Sequence, residues 1–339
     1  MIIRDLSEGS FFGADERLIE KSIQDYRKTM ITRLTNNFSK LNNSEFVAGY
    51  VNKVEGHNVR LVRMGDVSIT VSIKNMECPA LFNGQICLFS GSYCDNSFFA
   101  DGIFFDCRQC IGKPIIPKKR TITVCSGPFI NDSVKINSAK DLISNIDPLY
   151  PIYLGPFVHQ NSKYAISREC IKPSDQLTES CMKELSNGKA NSLFISSIND
   201  HYSLPFIPCQ KIIDSSKDFI TSGDPTLLDI EGLIILITTF NTLKTIKENQ
   251  IYSANSDNEH LLSTTIYQNS LFPVYSHCIQ YQNVLKCIPS IKPHIIISQD
   301  DDNHVFSFIE STISFTITPN TCAIIQLDNP LSRPEIRYF

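Results

Sequence analysis

Two apolar runs in this chain end on the same three residues. Val124-Cys125-Ser126 runs into Gly127-Pro128-Phe129, and Ile152-Tyr153-Leu154 runs into Gly155-Pro156-Phe157. Short apolar runs bounded by Gly and Pro read as strands buried on both faces. Such strands belong to parallel sheets whose two faces are covered. In those sheets ligands and metals sit in the crevice beyond the carboxyl ends of the strands. A hydrolase of that build carries Asp and His there. This chain carries Gly-Pro-Phe, which is the skeleton of an enzyme without its chemistry.

The rest of the C-terminal half agrees. Ile122 to Cys125, Ile152 to Leu154, Leu193 to Ser196, Leu233 to Ile237 and Ile295 to Ile297 are apolar strands separated by polar or helical stretches, an α/β layered domain. Asp175 to Ser186 and Asn258 to Asn269 read as helices. Ile313 to Ile317 and Ala323 to Leu327 read as two adjacent antiparallel strands. The first segment differs: Leu18 or Ile19, Ile23, Tyr26, Met30, Leu34 and Phe38 recur at steps of three and four, the stripe of an amphipathic helix, with Asp15 as its N-cap. From Phe46 the period becomes two. Val67, Ile69, Val71 and Ile73 alternate with polar residues, Met64-Gly65-Asp66 makes a tight turn, and Val47 to Val51, Val59 to Met64, Ile86 to Ser90 and Phe98 to Phe104 add further strands. About five short strands suit a small closed barrel such as an OB-fold.

Composition bounds the function. A chain of 339 residues has room for two domains and a large core. Its formal charge of -4 argues against a protein whose main task is coating nucleic acid, which needs clustered Lys and Arg. The barrel strands are poor in those residues, and Lys118-Lys119-Arg120 reads as a solvated linker. The longest apolar run, Leu233 to Ile237, falls far short of the ~20 residues of a membrane span. Met1-Ile2-Ile3-Arg4-Asp5 lacks the apolar stretch of a signal peptide. Twelve cysteines without a regular framework imply free thiols in a reducing compartment. Cys107-Arg108-Gln109-Cys110 has no second pair at zinc spacing.

At this point the ordered residues resemble a family, the B (second, regulatory) subunit of DNA polymerase alpha–primase. Leu81-Phe82-Asn83-Gly84-Gln85-Ile86 with Ser90-Gly91 is similar to that family's Leu-Phe-Pro-Gly-Gln-Val stretch near the end of its barrel. Cys125 to Phe129 and Leu154 to Val158 match its first two C-terminal strands. Leu193 to His201 with Leu204-Pro205-Phe206, then Leu271-Phe272-Pro273-Val274-Tyr275, then Pro293 to Ser298, resemble its later segments in the same order. There are departures: Ser196-Ser197 stands where the family has proline and arginine, and Pro319 lacks the glycine that usually follows.

The resemblance implies an OB-fold joined to an inactive calcineurin-like phosphoesterase domain. Residues 1–41 would carry the helix and pack on the C-terminal domain, 42–118 would form the OB-fold, and 119–339 the phosphoesterase-like domain. It further implies a nuclear, non-catalytic scaffold in the initiation of DNA replication. The partner would be the C-terminal zinc domain of the polymerase alpha catalytic subunit, with primase reached through the complex, DNA contact weak or indirect, and no cofactor. The small subunits of polymerases delta and epsilon share the plan and remain alternatives, with an active metallophosphoesterase or nuclease as the further one. Many members also carry a tethered N-terminal helical module, for which this chain is expected to have no room.

An active two-metal phosphoesterase would hold its ions about 4 Å apart with Asp-x-His, Gly-Asp and Gly-Asn-His after successive strands. Here the first position offers Cys125-Ser126-Gly127, and Pro156 stands where the bridging aspartate belongs. Asn199-Asp200-His201 is the one surviving polar cluster, either a vestige or a turn capped by Asp200. Cys125, Ser126, Pro156, Asn199, Asp200 and His201 are therefore the vestigial site, with no metal ligand and no catalytic residue expected. Asp302-Asn303-His304, Gly65-Asp66 and Gly223-Asp224 imitate metal motifs but follow no suitable strand and read as solvated turns. No Walker loop, Gly-x-Gly-x-x-Gly or Gly-x-Ser-x-Gly motif is present. Phe129, Phe157 and Phe206, on the strand-end loops, are candidate partner anchors, with core packing as the competing reading.

Overall fold

The computed structural model describes residues 3–5, 16–38, 45–76, 80–95, 97–105, 121–146, 148, 150–168, 174–186, 191–201, 206–207, 213–216, 219–252, 257–268, 280–281, 292–309, 311–326 and 333–339. Strand β1 (Ile3–Asp5) is followed by helix α1 (Glu16–Phe38). Of the expected stripe, Met30 and Leu34 are enclosed and Phe38 is half-buried, with Ile31 enclosed beside them; the side chains of Leu18, Ile19, Ile23 and Tyr26 lie outside the described residues. Asp15 lies outside the described residues.

Strands β2 (Glu45–Glu55), β3 (Asn58–Val62), β4 (Ser68–Ser72), β5 (Leu81–Phe82), β6 (Ile86–Cys94) and β7 (Ser97–Phe104) come next. All but β5 close a barrel in the order β2-β3-β4-β7-β6. The period-two pattern explains its interior, where Val47, Val51, Val59, Leu61, Val71, Phe89 and Phe98 point inward and pack together. The Gly65-Asp66 turn is solvent-exposed, as expected.

The C-terminal half contains β8 (Thr121–Ser126), α2 (Ile136–Ile146), β9 (Tyr150–Leu154), α3 (Lys163–Arg168), α4 (Ser174–Ser186), β10 (Leu193–Ile195), β11 (Phe206–Ile207), β12 (Ile220–Ser222), β13 (Thr226–Ile230) and β14 (Leu233–Thr238). It continues with α5 (Thr242–Glu248), β15 (Gln250–Tyr252), α6 (Asn258–Tyr267), β16 (Gln280–Tyr281), β17 (Ile295–Gln299), β18 (Phe306–Ile309), β19 (Thr312–Ile317), β20 (Thr321–Gln326) and β21 (Glu335–Tyr338). Asp257 caps α6, its carboxylate accepting from the His260 amide at 2.8 Å.

The layering is richer than one covered sheet. Two 6-stranded mixed sheets stack, one ordered β1-β13-β14-β17-β19-β18 and the other β12-β10-β9-β8-β20-β21. Their facing sides share one apolar core, including Ile152, Leu154, Ile195, Ile235, Ile237, Ile297 and Phe315. Helices α2, α3 and α4 cover the outer face of the second sheet. The outer face of the first sheet gives Leu236 and Ile296 to a cluster with Met30 and Leu34 of α1 and with Ile86 and Leu88 of the barrel. Helix α1 thus fills the space between barrel and sandwich and touches both.

One expectation is corrected. β19 and β20 are consecutive but not paired: β19 lies parallel to β17 in the first sheet, and β20 antiparallel to β8 in the second. The chain crosses between the sheets through residues 318–320, where Asn320 has φ 59°. Both strands are almost wholly buried, so their apolar pattern marks burial and leaves the pairing open. Among the described residues no helix is long and apolar enough to cross a membrane.

Candidate functional site at the strand ends

β12, β10, β9 and β8 run parallel, so their carboxyl ends meet along one rim. The two Gly-Pro-Phe segments lie side by side there. The Gly127 amide donates to the Leu154 carbonyl at 2.9 Å, and the Gly155 amide to the Ile195 carbonyl at 2.9 Å. Glycine is required by close approach at both places. A Cβ on Gly127 would collide with the Pro156 carbonyl oxygen, and one on Gly155 with the Asp200 carboxylate and Ser197. Both Gly–Pro bonds are cis.

The phenylalanines turn inward. Phe129 and Phe157 are each 0% exposed and stack at 5.9 Å between centroids with an interplanar angle of 11°. They join Tyr153, Phe194 and Phe219 beneath α2, α3 and α4. The anchor role assigned to Phe129 and Phe157 is corrected accordingly: a ring enclosed on all sides has no surface to present to a partner. The side chain of Phe206 lies outside the described residues. So do Cys107, Cys110, Lys118 to Arg120, Leu204, Pro205 and Leu271 to Tyr275.

The residues expected to form a vestigial site lie along the rim. Cys125 is buried directly opposite Cys322 in the β8–β20 ladder, and burial, then Cys322, pushes its thiol well above the usual range. A thiol so held is a poor nucleophile. Ser126 is buried and its hydroxyl accepts from the Gln299 amide at 2.9 Å. The same Gln299 nitrogen donates to the Gly155 carbonyl at 2.7 Å, so one side chain from β17 closes the first sheet onto the second. Pro156 is buried, Asn199 is exposed, and His201 is half-buried with its amide donating to the Val158 carbonyl at 2.8 Å.

Asp200 does more than cap a turn. It is 1% exposed; one carboxylate oxygen accepts from the Ser197 amide at 2.7 Å and the other from the Phe157 amide. It therefore ties the loop after β9 to the loop after β10. Burial raises its pKa to about 7, against the pull of the Ser197, Phe157 and Val158 amides and with a small push from Asp224.

Asp224 corrects a second expectation. Gly223-Asp224 is no solvated turn: it follows β12, next to β10, and Asp224 is 0% exposed. Its carboxylate accepts from the Thr239 amide at 3.0 Å and the Thr239 hydroxyl at 2.5 Å. Burial lifts its pKa to about 6, opposed by the hydroxyls of Thr239 and Thr238. By contrast, Asp302 is exposed, its amide donating to Asp300 at 2.9 Å. Among the described residues no group of three or more His, Cys, Asp or Glu is placed to hold a metal ion.

Gln299 and Asp224 are the rim residues that sequence reasoning missed. For Gln299 the available signal was its place at the carboxyl end of the apolar strand β17; Asp224 follows β12, three residues long and not apolar, which gives no such signal.

A family model for the B subunit of DNA polymerase alpha/epsilon matches residues 122–307, over half of the chain. The chain belongs to this family. The match runs from β8 into β18 and so takes in the whole rim. As a member, the chain is an accessory component of DNA replication that associates with a catalytic polymerase subunit. No curated protein matches its sequence. Among solved structures, a novel archaeal phosphodiesterase is 12% identical, covering 64% of this chain and 99% of its own, with a TM-score of 0.33. A putative 5'-nucleotidase from Staphylococcus aureus, solved with alpha-ketoglutarate, is 11% identical, covering 65% of this chain and 54% of its own, with a TM-score of 0.38.

Proposed function

We propose that this chain is the non-catalytic scaffold of a nuclear DNA polymerase alpha–primase assembly, gripping the C-terminal zinc domain of the catalytic subunit. One observation carries the non-catalytic part. The strand-end positions where a two-metal phosphoesterase needs carboxylates and imidazoles carry Ser126, Gly127, Gly155 and Pro156, and the Gln299 amide bridges them. Carbonyls, a hydroxyl and an amide offer little to a pair of hard cations that must also hold phosphate. The OB-fold and the inactive calcineurin-like domain are part of the same reading. It is supported by the barrel order, in which the last two strands exchange places, and by the parallel strands of the sandwich. The choice of alpha over epsilon or delta rests on the Leu81 to Ile86 stretch and the paired Gly-Pro-Phe strands.

The test is co-expression with the C-terminal zinc domains of the alpha, epsilon and delta catalytic subunits, read by size exclusion. A stoichiometric complex with alpha alone is the expected result. A complex with epsilon or delta alone keeps the scaffold and overturns the alpha assignment. Hydrolysis of bis(p-nitrophenyl) phosphate with manganese, abolished by Asp200→Asn, would overturn the non-catalytic reading.

A further inference from the structure

We draw no further inference here: the strongest candidate, the surface of Val134, Ile166 and Tyr338 exposed on the loop after β8, on α3 and at the end of β21, lies along the strand-end rim, but nothing in the structure shows what covers it.

Discussion

Gly155 sits so close to the Asp200 carboxylate and Ser197 that its missing side chain is a structural requirement. Gly155→Ala should cost about 1–3 kcal/mol, the usual penalty of forcing a methyl group into a packed site. Gln299→Ala should cost a similar 1–3 kcal/mol or so, because it leaves the Gly155 carbonyl and the Ser126 hydroxyl without their shared donor. Urea midpoints of the two variants check both values. A third residue acts on the acid side. The His294 Nδ1 accepts from the Ile234 amide at 2.9 Å, and burial, then Lys292, lowers its pKa below the ordinary 6.5, with Asp229 opposing. The fold holds this ring neutral, so its contribution is complete above the ordinary value and is lost as pH falls through the lowered one. His294→Gln, which keeps an acceptor, should flatten the acid limb of a Tm-versus-pH curve while leaving the neutral region little changed. Residues of this kind were only partly legible. The loss of ligands at Ser126 and Pro156 could be read directly from residue types. The inward turn of Phe129 and Phe157 could not, because the fold of α2, α3 and α4 over the rim decides which side of a loop is covered. Asp224 was misread for the same reason: β12 is too short to announce itself, so the strand that buries this acid was not seen.

Elements were easier to read than their partners. The stripe of α1, the alternation in β4 and the apolar runs of β8, β9, β10, β14 and β17 all stand where periodicity put them, since one buried face or two leaves its own period in the residues. Pairing leaves no such mark. β19 and β20 carry nearly the same buried pattern yet enter different sheets, and the breaker between them, Pro319-Asn320, suits a sheet switch and a hairpin equally. That two-sheet core predicts its own response to truncation. Ile235 is 0% exposed on the face of the first sheet that meets the second. Ile235→Ala should lower stability by about 2–5 kcal/mol, the range for an aliphatic side chain removed from a core that cannot collapse. Its urea midpoint should fall with the m-value unchanged, because the surface exposed on unfolding stays the same.

The whole molecule offers a partner two bodies, barrel and sandwich, and α1 holds them in register. Leu34 is 0% exposed in the cluster that joins Ile86 and Leu88 of the barrel to Leu236 and Ile296 of the sandwich. A scaffold that grips across both bodies depends on their relative placement being set before binding, since ordering them during binding subtracts from affinity. Leu34→Ala and Ile235→Ala should lose comparable stability, yet they act on different things. The first loosens one body against the other; the second weakens the interior of one body and leaves the seam intact. With the proposed partner, the C-terminal domain of the catalytic subunit, immobilised, and at a temperature where both variants remain folded, Leu34→Ala should bind about tenfold more weakly, a difference of about 1.4 kcal/mol. Most of that change should lie in the dissociation rate. Ile235→Ala should bind within about twofold of the unaltered chain. Equal losses in the two variants would mean that stability alone governs assembly. No loss in either would mean that the partner rests on one body only, and that α1 serves the fold rather than the interface.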